Sequence, residues 1–300
     1  MPGSEEGGKR GSSGSRGGTD EKMGELERQP GDSAHGSAVW IAVLGAVIQE
    51  VELLFRILEN SRTLSFRGES IRLGDFRGLR LLIGTTGLGK VNAAVTTAAL
   101  LERFEIARVW NTGCSGAYPQ GHLEVGDVLI TDRALAGDEG ILSHNGILSA
   151  VHIGIPVIEW HGEKFYDCFP LDRQPGWQAM KETAPPGLYP AAGDDPGNSF
   201  RLEYGPSLTV GMVSGDAETA RERYTRYGAL AENMEGSAVA QACFRFGIPF
   251  LECRGMSNTA GDRDKRNWQL QKAIRNSHAI LLRFLGASLE REKAGQEPTI

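Results

Sequence analysis

Residues 79–104 read LRLLIGTTGLGKVNAAVTTAALLERF. Leu79–Ile83 is a short apolar run of strand length, glycines at 84, 87 and 89 make a turn, and Lys90–Phe104 is an alanine-rich stretch of helical length. A strand that passes through a glycine turn into a helix is the building unit of an α/β sheet. The pattern repeats outward from it. Upstream, Val39–Leu44 (VWIAVL) reads as a buried strand ending at Gly45, and Glu50–Leu58 places Val51, Leu54, Phe55 and Leu58 at helical spacing. Downstream, Arg108–Thr112 and Val128–Thr131 are strands, followed by an irregular stretch holding seven of the 13 prolines between Pro170 and Pro206. Strand Leu208–Val213, helices Ala217–Arg226 and Gly236–Phe246, strand Phe250–Cys253 and helix Trp268–Glu290 complete the reading. This alternation implies one sheet with helices on both faces, and ligands bound where strands end and loops open.

The chain has 300 residues, with 32 Lys+Arg against 38 Asp+Glu. A mildly acidic balance argues against nucleic acid as a partner, because phosphate binding leaves a basic footprint. No apolar run approaches the length of a bilayer span, so no membrane partner is expected. Cys114, Cys168, Cys243 and Cys253 lie far apart without a CxxC. That is the usage of a reducing cytosol, and it excludes a disulfide framework or zinc ribbon. Ten glycines and six serines crowd the first 38 residues. Such a segment cannot bury enough apolar surface to offset its ordering entropy, so 1–38 reads as a disordered tail. Met23 is an equally good initiator. A folded domain over 39–290 and a short C-terminal tail over 291–300 follow.

The turn at 84–91 looks like a phosphate loop, but Val91 stands where a magnesium-holding Ser or Thr is needed. The bland reading is a tight turn that lets backbone approach a ligand. Lys90 alone in such a turn is more often solvated or paired than anion-binding. No GxGxxG and no HExxH occurs, and the six histidines show no ligand spacing. No metal and no cofactor is called for. The better candidates are acids at strand mouths. Glu50 follows the first strand, Glu235 stands in Glu232-Asn-Met-Glu235-Gly, and Asn258 and Asp262 stand in Ser257-Asn-Thr-Ala-Gly-Asp262-Arg263-Asp264. Singly, an acid in a helix's first turn usually just complements the dipole. A Gly/Asn/Asp run after a buried strand is what a binding loop looks like.

Together, Gly45-Ala46-Val-Ile-Gln-Glu50-Val51, Gly87-Leu-Gly89-Lys90-Val91, Asn111-Thr-Gly113 and Asn233-Met-Glu235-Gly resemble the nucleoside phosphorylase and nucleosidase superfamily, from about Val39 to Gly286. Within it, the Ser-Asn…Gly-Asp-Arg-Asp…Trp pattern over 257–268 looks like the futalosine hydrolase subgroup; the methylthioadenosine nucleosidase subgroup carries Asp where this chain has Asn258. The resemblance implies a single three-layer αβα domain with a central mixed sheet, a small-molecule nucleoside substrate and a homodimer or higher homo-oligomer. It implies cleavage of a ribosyl–purine bond in the cytoplasm. Glu50 would then deprotonate the attacking water, Glu235 grip the ribose hydroxyls, Met234 pack on the sugar, the backbone at Ala217 border the base and Asn258 meet its N7. Asp262 and Arg263 would add polar contacts to the substrate. Glu218 stands where the nucleosidases place an aromatic, so the stacking partner must come from elsewhere, Phe165, Tyr166 and Phe200 being the candidates. Lys164, Arg201 and Arg263 are the candidates for a 5′ carboxylate. A phosphorylase needs arginines beside glycine-rich backbone. Gly45–Glu50 has no basic residue and Asn111 is neutral, which favours water as nucleophile.

Overall fold

All six residues of β1 (Trp40–Gly45) are buried, as an apolar run without alternation requires of a strand covered on both faces. The computed structural model describes residues 39–144, 146–160, 162–192 and 198–293. The expected tail at 1–38 and residues 294–300 lie outside them. After β1 come β2 (Glu59–Phe66), β3 (Glu69–Phe76), β4 (Leu79–Thr85), α1 (Lys90–Arg103), β5 (Ile106–Ala117) and β6 (Val128–Ala136). Then follow β7 (Cys168–Pro170), α2 (Trp177–Thr183), β8 (Gly187–Pro190) and β9 (Ser199–Thr209). The chain continues through α3 (Ala217–Tyr227), β10 (Ala231–Asn233), α4 (Gly236–Phe246), β11 (Phe250–Thr259) and α5 (Leu270–Lys293).

These strands form one mixed sheet in the order β7-β6-β9-β10-β5-β1-β4-β3-β2, with β8 on β9. β1 lies parallel to both β4 and β5, whereas β2, β3 and β4 run antiparallel. β11 pairs with β5 in parallel and with β6 antiparallel. Strands β5, β11, β6, β9 and β10 therefore close on one another in a ring. Helices cover both faces. Successive strand residues point to opposite sides: Glu252 lies against Gly236 at the start of α4, and the Cys253 thiol reaches Ser277 O of α5 at 3.5 Å. α1 packs on α4 and α2 on α5, giving the three-layer αβα arrangement expected. Trp110 of β5, fully buried, meets Phe284 of α5 edge-on at 6.4 Å.

Four departures from the sequence expectation stand out. Glu50–Leu58 is not a helix but two 3-10 turns, Ile48–Glu50 and Leu54–Ile57. Val51, Leu54 and Phe55 are buried as their spacing demands, but the Glu50 carboxylate bonds back to Ala46 N and Val47 N and tightens the first turn. The β2–β3 hairpin went unread because β2 (ENSRTLSF) is exposed almost throughout and shows no apolar alternation. The proline-rich stretch holds α2, β8 and the start of β9, which begins at Ser199 rather than Leu208. β11 runs to Thr259, well past Cys253. Its Gly255 and polar end resemble a loop, but Gly255 is where the Ala273 backbone of α5 occupies the space of a side chain.

Candidate active site

β1 delivers the chain to Gly45, and the following turn folds Glu50 back onto it. Oε2 accepts from Ala46 N at 2.7 Å and Oε1 from Cys114 N on β5 at 2.8 Å. Glu50 is 8% exposed, so these backbone donors replace most of the water around its carboxylate. Gly113, at φ +144°, admits it: a Cβ there would sit on the carboxylate. That is the structural content of Asn111-Thr-Gly113. From α5, His278 Nε2 lies 2.8 Å from Glu50 O. Burial pushes the imidazole down to about 4, so it is neutral and donates through Nε2–H, fixing the turn.

Glu235 is placed by Asn233. The Asn233 Oδ1 accepts from Glu235 N (3.0 Å), Gly236 N (2.8 Å) and Thr209 Oγ1 (3.0 Å), closing the start of α4. The Glu235 Oε1 accepts from Gly89 N at 2.9 Å. A carboxylate of the chain itself thus occupies the N-terminal end of α1, where the glycine turn offers its backbone donor. Burial raises the Glu235 pKa, opposed by Arg254 and the Gly89 bond and reinforced by Glu50 and Glu252.

Between the two acids lies Arg254, 1% exposed. Its Nε donates to Glu252 Oε1 at 3.0 Å, its Nη1 to Cys114 O at 3.5 Å, and its Nη2 lies 3.6 Å from Glu235 Oε2. Glu252, itself fully buried, also accepts from Asn111 Nδ2 (3.2 Å) and Thr131 Oγ1 (2.8 Å). Nη2 makes no hydrogen bond with the described residues, so one strong donor is left for a ligand beside Glu235. Three carboxylates around one guanidinium make a net negative cluster, suited to developing positive charge and repellent to a phosphate dianion. Sequence reasoning missed Arg254, Glu252 and His278. Reading β11 past Cys253 would have found the first, since residues two apart on a strand share a face.

Asn258 lies on β11, not in a following loop, just beyond a register shift between Met256 and Asn258. Its Oδ1 accepts from Ser257 Oγ at 2.8 Å and its Nδ2 donates to Thr259 O at 2.9 Å, which leaves one lone pair and one N–H. Gly261, at φ +89°, packs on the Asp216 carbonyl. The loop after Asn258 and exposed Ala217 at the start of α3 are thereby brought together. Met234 is half-buried beside Glu235. The Asp262 carboxylate is committed to its own loop, accepting from Asp264 N and Asn267 Nδ2 at 2.8 Å each. Arg263 is exposed, its guanidinium 5.0 Å over the Trp268 ring. Two stacking candidates are tied up elsewhere: Phe165 packs with Phe169 and Phe244, and Phe200 stacks on Tyr189. Lys90 is paired, with Asp138 at 2.5 Å and Glu139 at 3.0 Å. Among the described residues no three His, Cys, Asp or Glu side chains converge to hold a metal ion.

Residues 41–286 match the family described as the Phosphorylase superfamily. A futalosine hydrolase of Thermus thermophilus is 30% identical over 77% of this chain and 92% of its own. A 5′-methylthioadenosine/S-adenosylhomocysteine nucleosidase of Lysinibacillus sphaericus is 29% identical over 82% and 99%. The solved structure of the corresponding Neisseria meningitidis nucleosidase, in complex with methylthio-immucillin-A, superposes with a TM-score of 0.66 at 27% identity, over 81% of this chain and 97% of that one.

Proposed function

The chain belongs to the phosphorylase superfamily, and on that footing we propose that it hydrolyses the N-glycosidic bond of a 6-oxopurine nucleoside, futalosine, releasing hypoxanthine. The observation that carries the reading is the pair Glu50 and Glu235, buried, backbone-held and grouped with Glu252 around the single guanidinium of Arg254, whose charge three carboxylates share. Breaking a ribosyl–purine bond spreads positive charge over the anomeric carbon and ring oxygen. Fixed carboxylates lower the energy of that charge without reorganising. Glu50 accepts once at Oε1 and twice at Oε2, so Oε1 keeps a lone pair with which to orient a water and take its proton. Glu235 and the free Arg254 Nη2 offer an acceptor and a donor to the ribose hydroxyls and to that water.

The choice of base rests on Asn258. Its spare N–H donates to O6 of hypoxanthine, and its spare lone pair accepts from N7 as that atom gains a proton. Adenine would set its exocyclic amine against the same N–H. Cleavage of 5′-methylthioadenosine or S-adenosylhomocysteine is the competing reading, supported by the Lysinibacillus relative at 29% identity against 30% for the Thermus one. The test is kcat/KM for futalosine against its 6-amino analogue and methylthioadenosine, in wild type and Asn258→Asp. Leaving buried donors opposed costs about 1–3 kcal/mol. The wild type should therefore favour futalosine, and the variant should move the ratio roughly ten- to a hundredfold toward adenine. A wild-type preference for methylthioadenosine would sink the futalosine assignment.

A further inference from the structure

β10 carries Glu235 to the site and, three residues earlier, a second buried acid that never reaches it. Glu232 is 4% exposed. Its Oε1 accepts from Ser214 N at 2.8 Å, and its Oε2 from Ser214 Oγ (2.7 Å), Tyr118 OH (3.0 Å) and Arg223 Nη1 (3.1 Å). Arg223 Nη2 also donates to Met212 O at 2.7 Å. A buried ion pair is weak evidence for stability, since apolar groups of similar volume often serve as well. The donors have something else in common. They come from the end of β5, from α3 and from the loop 210–216 that joins β9 to α3. In that loop Gly211, Met212, Gly215 and Asp216 are exposed, and Ser214 is its fully buried anchor. The loop's last carbonyl, Asp216 O, is the one that packs on Gly261 behind Asn258.

We propose that Glu232 is a positioning residue: clamped by Arg223 and Tyr118, it fixes the 210–216 loop and so the wall that meets the purine, without touching substrate. This rests on the nucleosidase reading above. Glu232→Gln keeps the shape but turns one acceptor into a donor facing other donors. The expected result is a KM for the nucleoside raised roughly ten- to a hundredfold, with kcat within about threefold, as for lost ground-state and transition-state binding alike. Amide hydrogen exchange over 211–217 should quicken in the same variant. If Glu232→Gln does not fold, Tyr118→Phe and Arg223→Lys each disturb one donor and carry the test in smaller steps. A purely structural role would lower the melting temperature yet leave KM, measured well below it, and loop exchange unchanged; that result overturns the proposal. Should the wild type cleave no purine nucleoside, the nucleosidase reading falls and exchange alone decides. Equal protection in both proteins then refutes the clamp, and faster exchange in the variant upholds it.

Discussion

The glycine turn at 84–91 and the carboxylate cluster around Arg254 lie against each other, joined by the bond from Gly89 N to Glu235 Oε1. Both have the ingredients of a ligand site. The turn has three glycines, a helix N-terminus and a lysine, which by composition is an anion cradle. Two of its donors are nevertheless spent inside the protein. Gly89 N goes to Glu235, and Lys90 goes to Asp138 and Glu139. The cluster has the opposite balance: Glu50 Oε1 is held by one backbone N–H and can accept again, and Arg254 Nη2 has a proton unassigned. A site is therefore marked by valence left over after folding, rather than by the residue types that fill it.

That comparison breaks most easily at Arg254. Arg254→Met keeps length and removes the charge that Glu50, Glu235 and Glu252 share. Stripping one partner from a buried ionic network costs about 3–5 kcal/mol, so the denaturation midpoint should fall sharply and turnover should be lost. Near-native stability in a folded Arg254→Met protein would mean that the acids are not compensated as described. Next in size is Glu50→Gln. Removing a positioned general base should lower kcat by roughly 10²–10⁴-fold. Some stability goes with it, because the amide nitrogen must face Ala46 N–H or Cys114 N–H; substrate affinity should be less affected than rate. Full turnover in this variant would move water activation to another group. The smallest effect belongs to the other side of the comparison. Lys90→Met removes partly exposed ion pairs worth at most about 1 kcal/mol, and kcat/KM should stay within about tenfold of wild type. A loss as large as that of Glu50→Gln would put the glycine turn back in the site and erase the contrast.

The strands that are apolar throughout could be read from sequence, since β1 and β4 are buried on both faces and need no context. α1, α3 and α4 were equally legible, bounded by glycine turns or by Asp216 as an N-cap. The β2–β3 hairpin was not, because its exposed strand carries no periodic signal and its turn, at Arg67 and Gly68, is a positive-φ pair without the usual asparagine or aspartate. Glu50, Glu235 and Asn258 stood out as polar residues beside buried strands. Arg254 did not, because the strand is read as ending at Cys253 one residue before it, and its three acids converge only in the fold, from β11, from the turn after β1 and from the start of α4. Asn233 looked like part of a ligand motif, and the structure gives it the work of capping α4.

The acid cluster around Arg254 is expected to use water and to refuse phosphate. The direct measurement follows products from futalosine in the presence and absence of phosphate, resolving free sugar from sugar 1-phosphate. The account predicts hypoxanthine and free dehypoxanthine futalosine at a rate indifferent to phosphate. A phosphate-dependent rate with a sugar 1-phosphate product would contradict it.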